Sequence, residues 1–342
     1  MKDRDISRRG FLAQLFSGVF ALRATKLPLP IRPLTQYLSP RKSQGNLFTR
    51  NKKPLLIVVK GNDMSLMLAK GIQALGGAEV LKQKSTSVII KPNFVAPQPF
   101  PVTSDLKMIA SLVEFLCKEE MSQISLCEIS TISQRGTELN NKFETLGVFE
   151  AVNEMGIPLL LGKLDEKDDH IFTFDQRWQR GKEIGIHKFI YHSPFIISTS
   201  VLKRHLPGWM SAALKNNFIA YGPHRWEAHQ RFREGGEGIR YFDHTIAEFA
   251  DAIRPELTII DARSILTKRG PTLGYGAEVR DGVNLLILGG DMVAIDSYCG
   301  RIMEQYDDTF EFRMIEPCLS YAESLGLGTA DLSKVEIIEL ET

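Results

Sequence analysis

The sequence predicts an α/β fold, a mostly parallel, doubly wound sheet with helices on both faces. Three observations lead there. Short β-branched runs alternate with amphipathic stretches along most of the 342 residues, the pattern of a parallel sheet covered on both sides. The composition, 43% apolar and 24% charged, is that of a globular chain long enough for one large domain. Polar and charged residues also recur just beyond the apolar runs, where open parallel sheets gather their ligands.

The elements follow in order. LLIVV (55–59) reads as the first strand, and a helical pattern over 64–75 ends at Gly76-Gly77. SVIIKPN (87–93) is the next strand; Pro92 stops it and leaves Lys91 and Asn93 near its carboxyl end. Ser104 reads as the cap of the helix DLKMIASLVEFLCKEE, whose apolar positions recur at helical spacing. ISLCEIS (124–130) and PLLLG (158–162) continue the sheet, with a helix over 143–155 between them. The polar and aromatic text over 165–188 reads as a hairpin or excursion. FIISTS (195–200), LTIIDA (257–262) and NLLILGG (284–290) resume the sheet. Helices over 292–305 and 312–325 and a last strand VEIIEL (335–340) close a single domain over 54–342.

The amino terminus is different in kind. A basic start, an apolar run over 11–22 and small residues near Ala24 have the layout of an export signal. SRRGFL (7–12) fits the twin-arginine consensus, which a translocase reads as an address. The expected address is therefore the periplasm or the outer face of the inner membrane, with the twin-arginine translocase as a partner. Residues 1–27 form the signal segment. Residues 28–53, with Pro30, Pro33, Pro40 and clustered basic residues, read as a linker kept out of the core.

Composition and spacing exclude several chemistries. A formal net charge of +1 argues against a nucleic-acid binder. Cys117, Cys127, Cys299 and Cys318 lack C-x-x-C spacing, so no intrinsic iron–sulfur cluster or local zinc motif is encoded. His187 and His192 are five apart, as are His224 and His229, which on a helix turns the side chains by roughly 140° and makes no local metal clamp. No G-x-S-x-G elbow is present. His205, His244 and Asp261 remain a candidate set for metal-assisted hydrolysis, should they meet in space.

The strongest local signal lies in LKRHLPGWMSAALKNNF (202–218). On an extended backbone Lys203 and His205 point to one side and Arg204 to the other. Pro207 fits the first turn of a helix whose N–H groups favour an anion, and Ser211 and Lys215 would share a face of it. RGPTLGYG (269–276) is a glycine-bearing loop that could approach a ligand closely. In GGDMVAID, Asp291 reads as a helix cap and Asp296 as a buried carboxylate in need of a partner, such as one of these lysines. The aromatic and basic segment YGPHRWEAHQRF (221–232) reads as a surface helix, a lid or a partner surface.

Four motifs in order, IIKPNF, LKRHLPGWMSAALKNNF, LTIIDARSILTKRGPTLG and GGDMVAIDSYCGRIM, resemble the domain-of-unknown-function family numbered 362, over about 87–341. By residue match the resemblance points to Lys91, Asn93, Lys203, His205, Lys215, Asn216, Asp261, Gly270, Pro271, Gly274, Asp291 and Asp296; Arg204 and Leu206 stand where the pattern has small or polar residues. Some members carry an attached ferredoxin module, so the resemblance implies a redox role through a separate iron–sulfur partner. The expectation is a cleft for a small anionic ligand or cofactor of unknown identity. Lys91, Lys203 and Lys215 supply charge, and Asn93 and Asn216 orient the ligand. Gly270 and Gly274 let the backbone approach, His205 moves the proton with Lys203 and Asp261 as the other catalytic candidates, and Asp261 or Asp296 orients or balances the charge. The alternative is a non-catalytic binding or assembly factor at the cell envelope.

Overall fold

The computed structural model describes residues 37–41, 45–83, 85–129, 137–164, 166–180 and 183–342, and Tyr37–Thr342 is one compact unit of it. The export segment lies outside the described residues.

A short strand β1 (Thr49–Arg50) turns back into β2 (Lys53–Lys60). Asp63 accepts the Leu66 N–H and so caps α1 (Met64–Ala74), which is followed by the short α2 (Ala78–Lys82). After β3 (Ser87–Lys91), Asp105 caps α3 (Leu106–Lys118), in place of the expected Ser104. Ser104 instead accepts the Asn93 N–H and donates to Thr199 O, pinning the chain that leaves β3. β4 (Gln123–Ile129) leads to α4 (Thr137–Leu146) and α5 (Val148–Glu154), two helices separated by Gly147 where the sequence suggested one. β5 (Leu159–Gly162) then ends that half of the sheet. The polar excursion is a hairpin of β6 (His170–Thr173) and β7 (Ile184–His187), followed by a turn of helix α6 (Lys188–Tyr191).

The second half starts with β8 (Ile196–His205), which runs five residues past the end of the apolar run that predicted it. It reverses into β9 (Trp209–Ser211), and His205 pairs with Trp209. Gly208 makes that turn at φ +88°, and a Cβ there would meet Ile246 and Phe242 at 3.0 Å. The helix expected at Pro207 is thus a hairpin turn, and Ser211 lies on a strand. Helix begins only with α7 (Ala213–Asn216), then α8 (Gly222–Phe232) and α9 (Glu237–Ile253). β10 (Leu257–Thr267), β11 (Glu278–Arg280), β12 (Leu285–Gly289), α10 (Met292–Tyr306), α11 (Glu316–Ser324) and β13 (Glu336–Glu341) complete the chain.

The sheet runs β13-β2-β12-β10-β8-β3-β4-β5, and every neighbouring pair is parallel except the two that β12 makes. The fold class is therefore as the sequence predicts, with one reversed strand. That reversal corrects one placement. Asp291 follows β12 and so lies at the opposite rim from the residues that follow β3 and β8, where it caps α10 and accepts the Ala294 and Thr329 N–H groups.

Side-chain alternation along the strands divides the core. Leu56, Val58, Ile260 and Ile287 face a layer with α9, α10 and α11, while Ile57, Val59, Ile259 and Leu288 face a layer with α1 and α3. The span 28–53, read as outside the core, also needs correction in its described part. Phe48 is 1% exposed, and Arg41 is buried against Glu256 at 2.9 Å.

Candidate functional site

Consecutive links from β3 to β5 walk one way across the sheet, and the link from β8 to β10 walks the other way. The gap between the carboxyl ends of β3 and β8 is therefore a topological switch point, where backbone divergence leaves a crevice. A cleft of about 470 Å³, counting the solvent at its mouth, opens there. Six of the residues named from the sequence line it together: Lys91, Asn93, Lys203, His205, Lys215 and Asn216.

Their hydrogen bonds form one connected floor. Asn216 Oδ1 accepts from Lys91 Nζ at 3.3 Å and from Asn93 Nδ2 at 3.0 Å. Asn216 Nδ2 donates to Ser198 Oγ at 2.8 Å, which fixes its amide orientation. Lys203 Nζ donates to Asn93 Oδ1 at 2.8 Å and to Val102 O. Because β8 stays extended through His205, alternation sends Lys203 and His205 to the cleft. Arg204 goes the other way, to Asp307 at 3.1 Å and the Phe310 ring at 5.0 Å.

Among the lining residues not named from the sequence as site residues, Glu128, Arg225 and Phe218 bear most on the chemistry. Glu128, buried at the end of β4, accepts the Phe94 N–H at 3.1 Å and the Ile129 N–H at 2.8 Å. Its signal was a carboxylate inside the apolar strand ISLCEI. Arg225 comes from α8, in the aromatic segment, and its guanidinium lies 5.7 Å from the centre of the Phe218 ring. Its Nε is buried with no hydrogen-bond partner among the described residues. Phe218 supplies an apolar wall.

The electrostatics are one-sided. Lys91, Lys203, Lys215 and Arg225 face a cleft whose lining holds one carboxylate, Glu128. Burial pushes Lys203 down to about 7, helped by the Lys91 charge and opposed by Glu128. Burial also lowers Lys91, and burial with the Arg225 and Lys203 charges holds Lys215 well below the usual lysine value. Burial and the Lys215 and Lys203 charges keep His205 neutral, well below 6.5. Its Nδ1 lies 2.8 Å from Pro207 O. A carbonyl can only accept, so Nδ1 carries the proton and Nε2 keeps a lone pair.

Four residues expected in the site lie elsewhere. Asp261 is fully buried under Arg263, which also reaches Asp105 at 2.6 Å, so it neither orients His205 nor lines the cleft. Asp296 accepts the Ala213 and Leu214 N–H groups at 2.6 and 3.1 Å; it holds the turn that carries Lys215 and, among the described residues, pairs with no lysine. Burial raises it to about 7, against those two N–H bonds. Gly270 packs on the β8 backbone, where an added Cβ would lie 1.9 Å from Arg204 O, and Gly274 sits in an exposed turn. The metal-hydrolysis set does not assemble either. His244 stacks on Tyr321 at 3.9 Å, and among the described residues no three His, Cys, Asp or Glu side chains converge as a metal site requires.

The comparisons with known proteins agree with this architecture. The family described as "Domain of unknown function (DUF362)" matches residues 88–301, which includes both strands that build the cleft. No curated protein matches. Among solved structures, the lactate racemase apoprotein from Thermoanaerobacterium thermosaccharolyticum is similar, with a TM-score of 0.50 and 13% identity over 72% of this chain. The match covers 56% of that protein, and at this identity it speaks to the fold alone. The chain belongs to the domain-of-unknown-function 362 family.

Proposed function

We propose that this member of the family binds a small organic anion, a carboxylate or a phosphate, in the cleft between β3 and β8 and moves a proton on it. The observation that carries the reading is the imbalance of the lining: four basic side chains around one carboxylate, in a site where burial makes unpaired charge costly. An anion entering the cleft would relieve that cost and raise the lysine pKa values toward normal. Lys91, Lys203, Lys215 and Arg225 would hold it, and Asn93 and Asn216 would fix its orientation. His205 Nε2 and the Lys203 amine would exchange the proton, since both are held near or below neutrality.

Export and a redox role through a separate iron–sulfur partner belong to the same proposal. The support for export is SRRGFL, and that for the partner is the family resemblance. A non-catalytic envelope binding factor would use the same cleft without turnover.

The test starts from protein made in its native host. Cell fractionation is expected to place it outside the cytoplasm, and absorbance spectra would reveal a bound chromophore. Calorimetric titration with inorganic phosphate, oxalate and lactate should show binding that weakens tenfold or more in Lys203→Ala. His205→Ala should keep binding and lose turnover by about 10²–10⁴-fold. If both variants bind every anion as the parent does, the cleft is not the site.

A further inference from the structure

Three of the four lysines in and behind the cleft have their amines tied to fixed acceptors. Lys91 Nζ donates to Pro92 O and Asn216 Oδ1, Lys203 Nζ to Asn93 Oδ1 and Val102 O, and Lys142 Nζ to Phe94 O. Lys215 differs. Among the described residues its Nζ has no hydrogen-bond partner, and it rests on the ring faces of Phe218 at 4.7 Å and Phe242 at 5.1 Å. The side chain is half-buried and lines the cleft, so an entering ligand meets it.

The surroundings are those that make a lysine nucleophilic. Apolar walls and neighbouring cations disfavour the ammonium and leave an amine with its lone pair available. The two ring faces favour the ammonium. Burial and the Arg225 and Lys203 charges act against it, and the net direction is a lowered pKa. Beside it, the planar fork of Arg225 matches a carboxylate, and its buried Nε lacks a partner. His205, whose charge state Lys215 influences, presents the Nε2 lone pair.

We propose that Lys215 is an imine-forming residue for small oxo acids, whose carboxylate Arg225 holds while Nζ attacks the carbonyl carbon. A C–N bond forms as the carbonyl π electrons move to oxygen, and a proton passes from nitrogen to that oxygen, through His205. The C–O bond then breaks as the nitrogen lone pair forms the C=N bond and the second nitrogen proton passes, again through His205, to the leaving oxygen; one water departs and the imine remains. Oxidation state is conserved and no co-reactant is needed. The inference rests on the anion-binding reading and narrows its ligand to anions that carry a carbonyl.

The full chain is incubated with glyoxylate and sodium cyanoborohydride, which reduces an imine to a stable amine, and the label is mapped by peptide mass spectrometry. Oxalate binding is measured in parallel as a carbonyl-free anion. The expected result is labelling at Lys215 at least tenfold above that at exposed Lys118, suppressed by oxalate and lost in Lys215→Arg. Because the map is made on the parent protein, it decides even where the variant fails to fold. Oxalate binding with label spread over surface lysines, or with none, overturns the imine proposal and leaves the anion site standing. Absence of both overturns the anion reading itself.

Discussion

Arg41 and Arg225 are the same side chain in opposite circumstances. Arg41, at the amino rim of the sheet, donates five hydrogen bonds, to Ser193 O twice, to Ile253 O, to Arg254 O and to Glu256. Nearby, Asp251 accepts from Arg177, Trp178 and Arg254. Charges at that rim are matched within the chain, so they serve the fold. Arg225, at the carboxyl rim, has an Nε with no partner among the described residues and shares one carboxylate with three lysines. A buried cation without an internal partner destabilises the empty protein, and the contrast marks which rim awaits something from outside.

The comparison can be broken most directly at Glu256. Replacing it by Ala strands the Arg41 guanidinium and is expected to cost about 3–5 kcal/mol in urea unfolding, with oxalate affinity of the folded protein unchanged. A cost below about 1 kcal/mol would mean the amino-rim pair is not a structural lock.

An intermediate effect sharpens it through pH. Lys203 titrates near 7 in the folded chain and at 10.5 when unfolded. Between those values the unfolded chain holds a proton that the folded chain has released, so stability rises with pH across the window and is flat below it. The Lys203 contribution should grow by roughly 2 kcal/mol from pH 7 to pH 9. It should disappear in Lys203→Met and shrink when a saturating anion is present. Matching pH slopes in parent and variant melts would remove Lys203 as a strained cation. The smallest change in stability is expected from Arg225→Met, which should stabilise the empty protein by about 1 kcal/mol while weakening oxalate by at least tenfold, as calorimetry would show.

Much of this was readable in the sequence, for physical reasons. Strand runs located the central strands of the sheet because burial on both faces leaves plain apolar runs, but the longest described helix, Glu237–Ile253, and the short strands Trp209–Ser211 and Glu278–Arg280 were not named. Lys91, Asn93, Lys203 and His205 were found together because parallel strands deliver their carboxyl ends to one rim. What escaped depends on direction and approach. The run NLLILGG reads alike in either orientation, so the reversal of β12 and the far placement of Asp291 were invisible. The turn at Pro207 resembled a helix start because proline suits both. Asp261 and Asp296 sat in the right motifs, but their partners, Arg263 and the Ala213 and Leu214 amides, are set by tertiary contact. Arg225 reaches the cleft from an element that composition marked only as surface, and Glu128 was hidden by its apolar neighbours.

The alternation at the end of β8 constrains how this chain can vary in length. Lys203 and His205 face the cleft and Arg204 faces Asp307 only while the residue count from Ser198 keeps its parity. One inserted residue would exchange the two sets, turning Arg204 inward and driving Lys203 toward Asp307. Relatives that preserve the cleft should therefore gain or lose residues here in pairs, unless a bulge absorbs the odd one.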